Sequence, residues 1–100
     1  MNATATTTHE IPRRRAMEFL TNETQGRIFS AYFQKRDGTM RTMVCRRGVK
    51  RHLAGGDLPY DPRPRLLVPV WDMRTKNYRT VNVGSLVSFR IGDETFVVTD

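Results

Sequence analysis

The feature that most constrains this chain is a run of strict alternation interrupted by one turn signal. Residues 27–36 alternate in polarity, and the predicted strand carries its apolar residues on one side: Phe29, Ala31 and Phe33. Asp37-Gly38 follows, two residue types that accept the positive φ of a two-residue hairpin turn. Residues 39–46 then continue as a second strand. The pattern predicts a β-hairpin.

Further strands are predicted downstream of this hairpin. Short apolar or alternating segments at residues 66–73, 78–83, 87–91 and 95–98 are separated by turn signals. Before the hairpin, Pro12 is well placed to open a helix that runs to Leu20, with its apolar residues on one face: Ala16, Met17, Phe19 and Leu20. Five or six short strands after one short helix indicate a mainly β domain, either a small barrel or a sandwich.

One hundred residues suffice for one domain with a modest core. Residues 1–12 are rich in Thr and Ala and are predicted to be a disordered tail, which leaves residues 13–100 as the folded domain. Residues 47–65 hold no strand pattern, because Gly55-Gly56 and three prolines interrupt them. A loop this long in a small domain is uncommon, and such loops often have a function.

Charge is the strongest compositional signal. Seventeen Lys and Arg against ten Asp and Glu give a net charge of +7, and fourteen of the seventeen cations are arginines. The guanidinium group binds phosphate in a bidentate manner and stacks on planar groups better than an ammonium does. The composition therefore favours an anionic partner, although a genome rich in G and C would also encode many arginines.

Several function classes are disfavoured. His9, Cys45 and His52 lack the clustered spacing of a zinc site, and the chain contains neither a nucleophile-elbow motif nor a P-loop. We therefore expect no enzymatic activity, no metal and no cofactor. The single cysteine excludes an internal disulfide, and no apolar run approaches the length of a membrane span. These features predict a cytoplasmic protein without membrane association.

The chain resembles a known family in two segments. They are KRDGTMRTMVCRRGVKRHLAGG and LLVPVWDMRTKNYRTVNVGSLVSFRI, within residues 26–93. Both are similar to small WYL-like proteins of tailed bacteriophages that have an Sm-type SH3 β-barrel fold. The resemblance implies a small five-stranded SH3/Sm-like barrel, where the strand pattern alone allows five or six, and it implies a phage origin and therefore a host cytoplasmic location. Such barrels often bind nucleic acid and often assemble into homo-oligomers through edge strands, but fold alone does not define function.

The candidate binding residues form a basic cluster without acids between Gly38 and Gly56. We expect its members to neutralise nucleic-acid phosphates: Arg41, Arg46, Arg47, Lys50 and Arg51. Tyr78 and Arg79 are added because a strand that carries an aromatic ring beside polar groups can stack and orient a base. Tyr32 and Trp71 lie on strands too. Trp71 is expected in the core, and Tyr78 fits the core or a binding site equally well.

Two other functions remain open at this point. A basic surface also suits an acidic protein, so the chain is alternatively an interaction protein that modulates a host protein in defence or transcription. The third reading is a pocket for a small anionic, nucleotide-like ligand. The sequence does not distinguish DNA from RNA.

Overall fold

A computed structural model describes residues 7–47 and 66–100. The elements in these ranges are β1 Thr7–Pro12, α1 Arg13–Asn22, β2 Ile28–Gln34, β3 Met40–Arg46, β4 Leu67–Asp72, β5 Asn77–Asn82, a 3-10 turn Val83–Ser85, β6 Leu86–Ile91 and β7 Glu94–Thr99. The prediction of a mainly β fold with one short N-terminal helix is confirmed. The described ranges contain seven strands, more than the five or six predicted.

All seven strands belong to one sheet, in the order β1-β7-β6-β2-β3-β4-β5. Neighbouring strands are antiparallel except β1 and β7, which are parallel. Alternate residues point to opposite faces. We call the face that bears the buried side chains the inner face, and the opposite one the outer face. Residues Phe29, Met43, Val70, Val81 and Phe89 mark the inner face.

The predicted hairpin is present as β2 and β3, but its turn differs from the prediction. Lys35 N–H donates to the Thr39 carbonyl at 2.7 Å, so the loop contains three residues. Only Gly38 within this loop has a positive φ, of 89°. Asp37 instead accepts from the Thr39 N–H at 3.0 Å, and hydrogen bonds from Thr39 lower the pKa of its carboxyl. A three-residue loop that ends in a left-handed glycine is the next commonest hairpin connection.

The prediction of a disordered tail over residues 1–12 is wrong for residues 7–12, which form β1. Thr7–Pro12 pairs with Glu94–Thr99 in parallel, and Ile11 packs against the core. The His9 ring stacks on Phe96 with 5.0 Å between centroids. The polar composition of this segment led to the wrong prediction. His9 and Ile11 do alternate with polar residues, as a half-buried strand requires. Residues 1–6 lie outside the described residues.

Helix α1 follows β1 directly, with Pro12 as its N-cap residue in an extended conformation. It buries Ala16, Met17 and Leu20, as the sequence predicted. Its first turn carries three arginines, a charge unfavourable to a helix N-terminus. Arg13 has a structural use that offsets this cost: its Nη1 donates to the carbonyls of Val83 and Leu86 at 2.7 and 2.9 Å. The side chain thereby fastens the helix to the 3-10 turn.

The core lies between α1 and the inner face. Phe89 belongs to this core, and the partly buried Phe19 and Phe96 pack against it, with Phe19 4.9 Å from Phe96 and Phe96 4.9 Å from Phe89 between centroids. Branched aliphatic residues complete it along β4 to β6: Val68, Val70, Val81, Val83, Leu86 and Ile91. Trp71, which was expected in the core, is not among the buried residues, because its neighbours on β4 occupy the inner positions.

Candidate nucleic-acid interface

A row of three large side chains crosses β3, β4 and β5 on the outer face. Arg46 is opposite Trp71, and Trp71 is opposite Tyr78. Directly opposite residues in antiparallel strands have Cβ atoms about 5 Å apart, so the three side chains are neighbours. We call Arg46, Trp71 and Tyr78 the aromatic–arginine row. It combines one cation with two π systems.

The two rings of the row contact each other edge to face. Their centroids are 4.9 Å apart and their planes are inclined by 76°. Both side chains are half-buried. This geometry is favourable for an aromatic pair and holds each ring in place by its neighbour. The row is therefore a preorganised and partly exposed aromatic surface, and neither ring belongs to the buried core.

Arg46 is the exposed cation of the row. Within residues 7–47 and 66–100 its guanidinium has no hydrogen bond or ion pair, and the position opposite it on β2 is held by the apolar Ile28. An arginine without a carboxylate partner keeps its five N–H donors for water or for an anionic ligand. Among the sequence candidates, the structure brings Arg46 and Tyr78 together.

Arg47 has a different role from the one predicted. Its Nη1 donates to the carbonyls of Leu20 and Thr21, at 3.0 Å for Leu20, and its Nε donates to the Pro69 carbonyl at 3.3 Å. Leu20 and Thr21 lie in the last turn of α1, whose carbonyls have no partner within the helix. Burial lowers the pKa of the Arg47 guanidinium. Arg47 therefore caps the C-terminal end of the helix, and its Nε and Nη1 are occupied by backbone carbonyls.

Arg41 and Arg79 are separated from the row by strand parity. Arg41 lies on the inner side of β3, where its Nη2 is 3.5 Å from the buried Asp72 carboxylate. Arg79 is exposed, but it is opposite Val70 on the inner side of β5, whereas the adjacent Tyr78 lies on the outer side. Neither shares a face with Arg46. Lys50 and Arg51, and with them residues 48–65 of the predicted basic loop, lie outside the described residues.

Asp72 is a buried anion whose role is structural. It accepts hydrogen bonds from the backbone N–H groups of Arg74 and Thr75 at 2.9 and 3.2 Å. Burial by itself raises the pKa of the carboxyl, but these bonds and the Arg41 charge together hold it below its ordinary value. The neighbouring thiol of Cys45 is buried, and burial with the Asp72 charge raises its pKa to about 12. Cys45 is therefore a protonated core residue.

The sequence analysis missed Arg90 on β6. It is exposed on the outer face, opposite Ser30 of β2. The signal was present in the sequence, because Arg90 stands between Phe89 and Ile91 and an alternating strand must turn it away from the core. The described residues contain no group of three or more His, Cys, Asp or Glu arranged to hold a metal, and no helix long and apolar enough to cross a membrane.

A short N-terminal helix, antiparallel strands that curve around one core and a 3-10 turn before β6 define a small SH3-like β-barrel module. The chain belongs to the WYL_2 family, described as an Sm-like SH3 beta-barrel fold, which matches residues 17–87. The predicted family and fold class are thereby confirmed. The match begins within α1 and ends in β6, so β1 and β7 are outside it. No curated protein and no solved structure matches the chain.

Proposed function

We propose that this chain is a non-enzymatic nucleic-acid-binding barrel of bacteriophage origin that acts in the host cytoplasm. The observation that carries the proposal is the aromatic–arginine row, in which the strand register places Arg46, unpaired within residues 7–47 and 66–100, next to two half-buried rings. The arginine guanidinium binds phosphate in a bidentate manner, and nucleic-acid bases are planar groups that stack on exposed aromatic rings. Both parts of a nucleotide have a matching group in the row.

The charge distribution on the outer face supports an anionic ligand. The outward positions of β2 to β7 include Arg46 and Arg90 and contain no carboxylate. The acids of these strands, Asp72 and Glu94, belong to the inner positions. An approaching phosphate therefore meets cations on β2 to β6, and the outward carboxylate of the sheet, Glu10, lies at its edge on β1, opposite Val97. In the sequence, Lys50 and Arg51 follow Arg46 closely, and the sequence-based hypothesis includes them as two further phosphate-binding cations.

A fluorescence titration tests this function. Trp71 is the only tryptophan of the chain, so its emission reports on the row without a label. Adding a 12-nucleotide oligothymidine at low salt should quench Trp71 emission. Because each phosphate contact on a single strand contributes about −0.7 to the slope of log K against log salt, three contacts from Arg46, Lys50 and Arg51 predict a slope of about −2.

A matched pair of arginine variants identifies the contact surface. Arg46→Gln should weaken binding and flatten the salt slope by about 0.7. Arg36→Gln removes the same charge from the exposed hairpin loop and should leave the slope unchanged. Equal effects of both variants would show a diffuse charge effect. Absence of salt-dependent binding to single-stranded or duplex DNA or RNA by the folded wild type would refute the proposed function.

A protein partner is the second candidate, and the apolar side chains of the outer face favour it. Ile28 is 49% exposed and Val44 is 43% exposed, which is unusual for strand residues that are not at an interface. The charge arrangement suits an acidic partner such as a host protein. Ile28→Gln would then abolish a nuclease-resistant complex with a purified host target while leaving oligonucleotide binding intact. Loss of oligonucleotide binding in that variant would instead assign the face to nucleic acid.

A further inference from the structure

A second cluster on the outer face resembles the aromatic–arginine row in chemistry. Tyr32 of β2 is 39% exposed and lies opposite Ser88 of β6. Arg90 is two residues farther along β6 on the same face, opposite Ser30. Its Nε donates to the Gly92 carbonyl at 3.3 Å, and within residues 7–47 and 66–100 its terminal nitrogens make no hydrogen bond or ion pair. We call Tyr32 and Arg90 the second cluster.

The strand register fixes the distance between the two clusters. Arg46 is on β3 four residues from Thr42, which is opposite Tyr32. Strands lie about 4.8 Å apart and rise about 3.3 Å per residue, so Trp71 and Tyr32 are separated by about 16 Å along the surface. The outer positions between them carry neutral side chains: Ile28, Ser30, Thr42 and Val44. Nothing between the two clusters repels a phosphate chain.

We propose that the outer face binds a single-stranded nucleic acid that crosses β4, β3 and β2 obliquely, from the aromatic–arginine row to the second cluster. The inference rests on the proposed function and adds to it a substrate class and a second contact point. One base stacks on the Trp71–Tyr78 pair and another on Tyr32, while Arg46 and Arg90 face phosphates. The hydroxyl groups between them bond to sugar or base edges without selecting a sequence.

Physical reasons favour a single strand over a duplex. A ring can stack only on a base whose face is accessible, and the bases of a duplex cover one another's faces. The grooves of a duplex admit a helix or a two-stranded ribbon, whereas this face is a broad sheet of at least five strands. Two stacking points about 16 Å apart also fit a binding site of at least four nucleotides. Four is the lower end of the site sizes of small barrels that bind single strands.

The test measures fluorescence anisotropy of labelled oligothymidines of three, six and twelve nucleotides, and of a 12-base-pair duplex, on the full chain. The wild type should bind the six- and twelve-nucleotide strands much more tightly than the trinucleotide or the duplex. Tyr32→Ala should weaken binding of the dodecamer by about five- to 150-fold, the range for one lost stacking contact, and should remove most of the gain from three to six nucleotides. Tyr32→Phe keeps the ring and should bind within twofold of wild type.

Arg90→Gln tests the second cluster without disturbing the folded core, because Arg90 is exposed. It should flatten the salt slope by about 0.7, and Arg36→Gln should not. Duplex binding as tight as that of the dodecamer, or wild-type affinity in both Tyr32→Ala and Arg90→Gln, would overturn the inference. The proposed function would survive that result if Arg46→Gln still weakened binding. Absence of any nucleic-acid binding by the wild type would refute both the proposed function and this inference.

Discussion

Arg46 and Arg47 are adjacent in the sequence, yet they belong to two regions of opposite character. Arg46 points to the outer face, where its guanidinium stands beside Trp71 without a carboxylate partner in the described residues. Arg47 points to the helix side and satisfies three backbone carbonyls. The comparison shows that adjacent basic residues at the end of a strand need not share a surface, because successive side chains point to opposite faces.

The largest expected difference is between these two arginines. Arg47→Ala removes the donor to the Thr21 carbonyl and one of the two donors to the Leu20 carbonyl, which also accepts from the Thr24 hydroxyl, and hydrogen bonds from a charged group contribute about 1.5–3 kcal/mol. We expect a loss of about 3 kcal/mol in the free energy of unfolding, measured by chemical denaturation. Arg46→Ala is the control and should stay within about 0.5 kcal/mol of wild type. Equal stabilities of the two variants would contradict the structural role that distinguishes Arg47 from Arg46.

The second test compares the acid Asp72 with the exposed Asp37. Asp72→Asn should lower the free energy of unfolding at pH 7 by about 2 kcal/mol, because a buried carboxylate that accepts several hydrogen bonds is replaced by a neutral amide. Asp37→Asn should cause a smaller change, since its carboxylate is in solvent. Denaturation at pH 7 measures both, and a larger effect for Asp37 would contradict the assignment.

Asp72→Asn also tests how the stability of the fold depends on acidic pH. The pKa of Asp72 is lower in the folded chain than its ordinary value of 3.8, so the folded state holds the charged form more strongly than the unfolded state does. Its contribution is complete above about pH 4 and is lost as the pH falls through the folded pKa. Wild type should therefore lose stability below pH 4 more steeply than Asp72→Asn. Parallel curves would show that other acids dominate.

The smallest expected effect concerns β1. Ile11→Ala should cost about 1 kcal/mol, because Ile11 is partly buried against the core. Ile28→Ala makes the same change at a position on the outer face that is 49% exposed, and should cost less than about 0.5 kcal/mol. Thermal unfolding of both variants checks the comparison. An Ile11 variant as stable as wild type would indicate that β1 contributes little to the folded state.

The sequence predicted the fold where local pattern was sufficient. Alternation around Asp37-Gly38 identified the β2–β3 hairpin, and spacing of apolar residues identified α1. It failed at β1, because a short polar strand becomes recognisable only through its partner β7 at the other end of the chain. The nature of the hairpin loop also depended on side-chain hydrogen bonds of Asp37 that pattern does not encode.

The candidate site was predicted less well than the fold. Arg46 and Tyr78 were identified from the sequence. That both are next to Trp71 becomes known only from the register of β3, β4 and β5. The backbone contacts of Arg47 could not be predicted, because its partners on α1 are more than twenty residues away in sequence. Parity would have separated Arg41 and Arg79 from the row and would have revealed Arg90, since each of these lies within an alternating segment.

The parallel pairing of β1 with β7 determines how the chain reaches its native state. His9 and Glu94, whose side chains are 3.0 Å apart, are separated by 85 residues, whereas the β2–β3 hairpin closes across three. Closing a longer loop has a larger entropic cost, and chains rich in distant contacts fold more slowly. The hairpins are therefore the natural nucleus of folding, and β1 docks after β7 is in place. The strands β1 and β7 lie outside the family match, and we expect β1 to be the last strand to join the sheet.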